Sequence, residues 1–188
     1  AFLEEYIVCV PGDGLNSVEC GGSDLYPNVA SSESSTAMGL NTVASSGYST
    51  AMGLNTVASG ASSTAMGYDT IASGYVSTAM GLNTVASGDQ STAMGRSTVA
   101  SGSQSTAMGY DTIASGYVST AMGQSADATH DSSFVVGLDT GVGDECVSSA
   151  DAEFRVCASD IVYDIAGTEY AMSDVIRALC DLGATDFC

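Results

Sequence analysis

Nothing constrains this chain more than a fourteen-residue beat: the pentapeptide Ser-Thr-Ala-Met-Gly ends at Gly39, Gly53, Gly67, Gly81, Gly95, Gly109 and Gly123. A sister phrase, Thr-Val/Ile-Ala-Ser-Gly, closes seven residues later at Gly60, Gly74, Gly88, Gly102 and Gly116. A fixed period without insertions is the mark of a solenoid, in which each repeat rests only on its neighbours. The two five-residue segments are too short for a stable helix, and Thr-Val/Ile favours extended backbone. Gly-x-x supplies the turns, where glycine allows positive φ or close approach to the next coil. The sequence therefore predicts an all-β solenoid of fourteen-residue rungs.

The repeat starts before its first methionine, because Val29-Ala30-Ser31-Ser32 matches Val43-Ala44-Ser45-Ser46. It also runs past its last, where Ser133-Phe134-Val135-Val136-Gly137 fills the same slots with bulkier residues. About eight turns at ~4.8 Å per rung give a rod roughly 38 Å long. This divides the chain into an N-terminal cap at 1–27, the roll at 28–143 and a C-terminal cap at 144–188. In the first cap, Tyr6-Ile7-Val8-Cys9-Val10 reads as a strand halted by Pro11-Gly12-Asp13-Gly14, pairing with its own roll. In the second, Cys146, Glu153-Phe154-Arg155-Val156-Cys157 and the run from Asp160 to Ile165 read as strands. Ser173 then reads as the N-cap of a short helix carrying Val175, Ile176, Leu179 and Leu182 and stopped at Gly183, so this cap is α+β.

Strand alternation sets Ser35, Ala37 and Gly39 on one side and Thr36 with Met38 on the other, while Thr42 and Ala44 oppose Val43 and Ser45. Tight turns hold the two strands close, which favours alanine inside and the Met and Val columns outside. Ordering fourteen residues costs about 14 kcal/mol per rung. Some ten ladder hydrogen bonds at ~1 kcal/mol each and ~2 kcal/mol from two buried alanine methyls nearly offset it. A lone roll is thus marginal, and burial of Met38, Met52, Met66, Met80, Met94, Met108 and Met122 against neighbouring copies would add about 2 kcal/mol for each side chain. These seven are the expected oligomer interface, since a long exposed apolar column marks an association surface.

The net charge is −19, with Arg96, Arg155 and Arg177 the sole basic residues and no lysine. Such a field repels phosphate backbones, so nucleic acid is excluded as a partner. No run approaches the ~20 apolar residues needed to span a bilayer, so direct membrane insertion is not expected. Between Thr36 and Gly123 the acids are Asp69, Asp89 and Asp111, so nearly all the carboxylates lie towards the ends of the chain. Cys9 and Cys20 precede the repeats, and Cys146, Cys157, Cys180 and Cys188 follow them. An even count in small flanks points to disulfide staples and an oxidising compartment. Pairing within each flank joins Cys9 to Cys20 and leaves three connectivities for the other four. The opening Ala1-Phe2 fits removal of an upstream segment.

The string Ser-Thr-Ala-Met-Gly-x-x-Thr-Val-Ala-Ser-Gly-x-x resembles the fourteen-residue repeat of the YadA-like head of trimeric autotransporter adhesins. The resemblance implies a left-handed parallel β-roll, three chains about a common axis, and an adhesive or structural role outside the cell. Together with the cysteines, it leads us to expect an extracellular or cell-surface rod, a homotrimer, with end-to-end joining into a filament as a further expectation. The alternative is an ice-binding solenoid using the hydroxyl column Thr36, Thr50, Thr64, Thr78, Thr92, Thr106 and Thr120. An enzyme is not expected. Leu138-Asp139-Thr140-Gly141 looks like an aspartic protease loop, but Asp139-Thr140 falls on the slots of Asn41-Thr42, so a decayed repeat explains it. His130, the single histidine, reads as a surface turn. No cofactor or metal site is expected. Tyr48, Tyr68, Tyr75, Tyr110 and Tyr117 occupy turns and are expected to pack on adjacent rungs.

Overall fold

The computed structural model describes residues 9–21, 27–138, 146–158, 162–165 and 168–171. Each full rung contributes a five-residue strand such as Thr50–Leu54 and a two-residue strand such as Val57–Ala58. Like pairs with like, parallel and fourteen residues apart: Thr78 to Leu82 lie opposite Thr92 to Arg96, and Val85–Ala86 opposite Val99–Ala100. The result is a parallel β-solenoid with an eleven-stranded long sheet on one side and a nine-stranded narrow sheet on the other. Every element among the described residues is a strand. The helix expected from Ser173 to Gly183 lies outside the described residues.

Alanine is inside, as the alternation requires. Ala37, Ala51, Ala65, Ala79, Ala93, Ala107 and Ala121 of the long sheet are fully buried, and so are Ala44 to Ala114 at the matching slots of the narrow sheet. The inward neighbours, Ser35 and Thr42 and their equivalents, are equally buried. An interior this thin admits methyl- and hydroxyl-sized side chains, and Val135 is its largest fully buried one.

The two glycine columns answer to different demands. Gly81 sits at φ +126, and a Cβ there would lie 1.9 Å from the Gly95 carbonyl oxygen. Gly74 has no such φ, yet a Cβ would meet the Gly88 oxygen at 2.0 Å, so close rung approach alone excludes a side chain. At that corner the left-handed conformation falls two residues later, on Ser62, Val76 and Gln90, and at the other corner on Asn41, Asn55 and Asp69. The Asn corner suits αL backbone, and its side chains form a ladder. Asn41 Nδ2 donates to Asn55 Oδ1 at 2.9 Å, and Asn55 Nδ2 donates to Asp69 Oδ1 at 2.8 Å.

The long sheet runs on at both ends. Val18–Gly21 pairs in parallel with Thr36–Leu40, and Cys9–Pro11 folds back antiparallel upon it, so this cap strand pairs with its own roll. Cys9 is bonded to Cys20. Glu19 stands in the alanine column, where its Oε1 accepts the Ala30 N–H at 2.7 Å. At the far end Phe154–Cys157 pairs with Phe134–Gly137, which sets Arg155 opposite Val135 in that same column. Arg155 is 2.7 Å from Glu153. At each end the outermost parallel strand of the long sheet thus sets a charged side chain in the alanine column, near the mouth of the roll. Cys146 of the narrow sheet is bonded to Cys157 of the long one, which selects one of the connectivities left open by the sequence; Cys180 and Cys188 lie outside the described residues. Val162–Ile165 and Thr168–Ala171 form a separate antiparallel hairpin.

Candidate functional site

The surface of greatest interest is the outer face of the long sheet. β-pleating turns Thr36 and Met38 outward because Ala37 between them is inside. In-register pairing then repeats that choice on every rung, from Met38 opposite Met52 to Met108 opposite Met122. Met52 to Met122 are half-buried along the column, and Met38 at its start is 36% exposed. The threonines beside them are half-buried as well. A third column at the strand ends adds Leu40, Leu54 and Leu82, then Tyr68, Arg96, Tyr110 and Gln124. Arg96 lies 5.3 Å from the Tyr110 ring centroid in a cation–π contact.

The Thr and Met columns carry no ionisable side chain in a chain of net charge −19. Between Thr36 and Gly123 the acids lie on the turns. Asp69 and Asp111 hold αL corners, and Asp89 Oδ1 accepts the Tyr75 N–H at 3.0 Å. Charge repulsion between two copies is weak across this strip, and its stacked thioethers form an apolar surface at one-rung pitch. The strip offers contact area lined by threonine hydroxyls and methionine thioethers.

At the C-terminal end the strip changes. Phe134 and Phe154 take the Thr slots, with ring centroids 5.5 Å apart, and Val136 and Val156 take the Met slots. Phe154 is 71% exposed. Sequence reasoning placed Phe134 in its slot but treated Phe154 as part of a separate cap. The signal available was the shared x-Phe-x-Val pattern, obscured because the second copy follows after twenty residues and not fourteen.

Other candidates fall elsewhere. The turn tyrosines, expected to pack on adjacent rungs, stand exposed: Tyr48 at 62%, Tyr75 at 54% and Tyr117 at 51%. His130 is half-buried on a turn, with Nδ1 3.1 Å from Ser148 Oγ, while its own N–H donates to that hydroxyl at 3.1 Å. Asp139 of the protease-like tetrapeptide lies outside the described residues. Among the described residues no group of three or more His, Cys, Asp or Glu is placed to hold a metal ion, and no helix is long and apolar enough to cross a membrane. Glu153 has its pKa lowered from 4.5 to about 2, first by the Ser149 N–H and then by the Arg155 guanidinium and the Ala150 N–H.

A family model described as the YadA head domain repeat matches the chain in windows 30–56, 58–84, 72–98, 86–112, 100–126 and 114–140, together more than half of its 188 residues. No curated protein matches the chain.

Proposed function

This chain belongs to the YadA head domain family, and from that premise we propose that it is an extracellular structural and adhesive rod, built as a homotrimer. Its copies lie side by side along Met38, Met52, Met66, Met80, Met94, Met108 and Met122. The family is one of adhesin-type β-roll domains with a structural role. The observation that carries the reading to this chain is the uncharged methionine strip in an otherwise acidic molecule. Burying what remains exposed of these half-buried side chains adds to the stability of an alanine-filled roll, up to about 1 kcal/mol for each Met. The two disulfides at the ends of the roll support an oxidising location. End-to-end joining into a filament is the further step of the proposal, through the capped flanks.

Sedimentation equilibrium of the full chain, beside the double variant Met80→Glu/Met94→Glu, tests the interface. Both sites point outward, so the variant keeps its β-sheet circular dichroism. The wild type sediments at three times 18.8 kDa at micromolar concentration, and the variant as a monomer. A wild type that is monomeric there overturns the reading.

Ice binding is the alternative, and the in-register hydroxyl column from Thr36 to Thr120 is the observation in its favour. A methionine stands beside every threonine, which leaves a single file of hydroxyls and not a broad array. Freezing-point measurements on a dilute solution are expected to show no thermal hysteresis; a measurable gap would move the function to the Thr column.

A further inference from the structure

A repeating interface has a defect that its own regularity creates. Every rung presents Thr and Met at the same pitch, so a copy displaced along the rod by one rung, about 4.8 Å, again sets Met against Met and forfeits only the contact of the overhanging rung. The seven methionines therefore hold copies together without choosing how they are aligned. Something aperiodic must do that.

Phe134 and Phe154 are placed to do it. They continue the Thr column without a break, in register with Thr120. They stack at 5.5 Å, and Phe154 is left 71% exposed. The exposed tyrosines stand at turns and strand ends, whereas these two rings stand in the Thr column itself, at one end of the strip. At the opposite end the column passes from Thr36 to Val18 and Pro11, and Cys20 holds the Met slot in a disulfide, so among the described residues no aromatic ring continues the strip there.

Resting on the proposed methionine interface, we infer that the Phe134–Phe154 stack is a register lock whose partner is the same stack in a second copy of this chain. The pitch argues for that occupant, because only another roll of this repeat presents side chains at the same spacing along the whole strip. Charge agrees, since the Thr and Met columns are free of the acids found elsewhere. Parallel, unshifted copies bring the aromatic pairs together. A slip of one rung leaves one Phe154 uncovered in each contact, and a slip of two separates the pairs altogether. Aromatic clustering of this kind favours the aligned state over the slipped ones.

The test restores the repeat's own residue with Phe134→Thr/Phe154→Thr. A nitroxide at Gln124→Cys, exposed at the strand end, reports distances between copies by pulsed electron resonance in both backgrounds, after sedimentation has established that each is assembled. The lock requires one narrow distance with the phenylalanines present. In the threonine variant it requires a distribution broadened towards longer distances, because each axial slip of about 4.8 Å adds in quadrature to the lateral separation of the labels. One narrow, unchanged distance in the variant overturns the lock and leaves the methionine interface standing. A variant that no longer assembles overturns it too, because the stack would then be the main contact and not an aligner. A monomeric parent removes the methionine interface and the lock together.

Discussion

Gly81 lies in the strand Thr78–Leu82 and Gly47 in a turn of the same roll, and the structure assigns them opposite fates on substitution by alanine. At Gly81 the backbone holds φ +126, outside the range of L-residues, and a Cβ would approach the Gly95 carbonyl oxygen to 1.9 Å. Real Cβ contacts essentially never fall below 3.0 Å, so the rungs must part locally by at least 1.1 Å (3.0 − 1.9). The backbone strain costs about 1–3 kcal/mol, and loss of two or three flanking ladder bonds costs about 1 kcal/mol each. Gly81→Ala is therefore expected to destabilise the roll by roughly 3–6 kcal/mol. At Gly47 the nearest atom to an added Cβ, the Glu33 carbonyl oxygen, is 4.0 Å away, and φ is not positive. Gly47→Ala is expected to leave stability unchanged or raise it by about 0.4–1 kcal/mol through the unfolded chain. Urea unfolding followed by circular dichroism at a fixed protein concentration compares the two. Equal effects, or a loss below about 1 kcal/mol at Gly81, would refute the claim that rung contact dictates this column.

The interior makes a second contrast. Thr84 Oγ1 is buried with no hydrogen-bond partner among the described residues, so Thr84→Val is expected to stabilise by about 1–2 kcal/mol in the same unfolding assay; a loss would mean that the hydroxyl is bonded. The Cys146–Cys157 bridge spans a sequence separation of 11, and replacing both by serine should cost about 3 kcal/mol by loop-closure entropy, read as a lower urea midpoint. Glu153 has a depressed folded pKa, so its contribution is fully present above 4.5 and lost as pH falls through about 2. Protection of the Ser149 and Ala150 amides, relative to their intrinsic exchange rates at each pH, should fall over that window in the wild type, whereas Glu153→Gln should show the low protection at pH 6 as well.

Period-two alternation made much of this architecture legible. Once alanine is set inside, Thr36 and Met38 have only the outer face to occupy, and strict spacing carries that choice through every rung. Cys9 had a single neighbour, Cys20, in its own flank. Cys146 and Cys157 were not legible as a pair, because what unites them is that one ends the narrow sheet and the other the long sheet. The narrow strand was also read too long. Thr-Val-Ala-Ser-Gly matches its sister phrase in length, yet the N–H groups of Ser73 and Gly74 both reach the Ala86 oxygen, at 2.9 and 3.3 Å, and this convergence bends the chain after the alanine. Glu19 and Arg155 defied pattern reading for another reason: a charge in an alanine column is intolerable between rungs and admissible only at a mouth, and the spacing alone does not reveal where the mouths are.

The central claim is that the methionine column is covered by other copies, and its oxidation kinetics test that most directly. Dilute hydrogen peroxide, with peptide mass spectrometry resolving Met38 to Met122, reports each thioether separately across a range of protein concentrations. The expected outcome is slow oxidation at concentrations where the chain assembles, accelerating together on dilution. Fast oxidation of all seven at every concentration would contradict it.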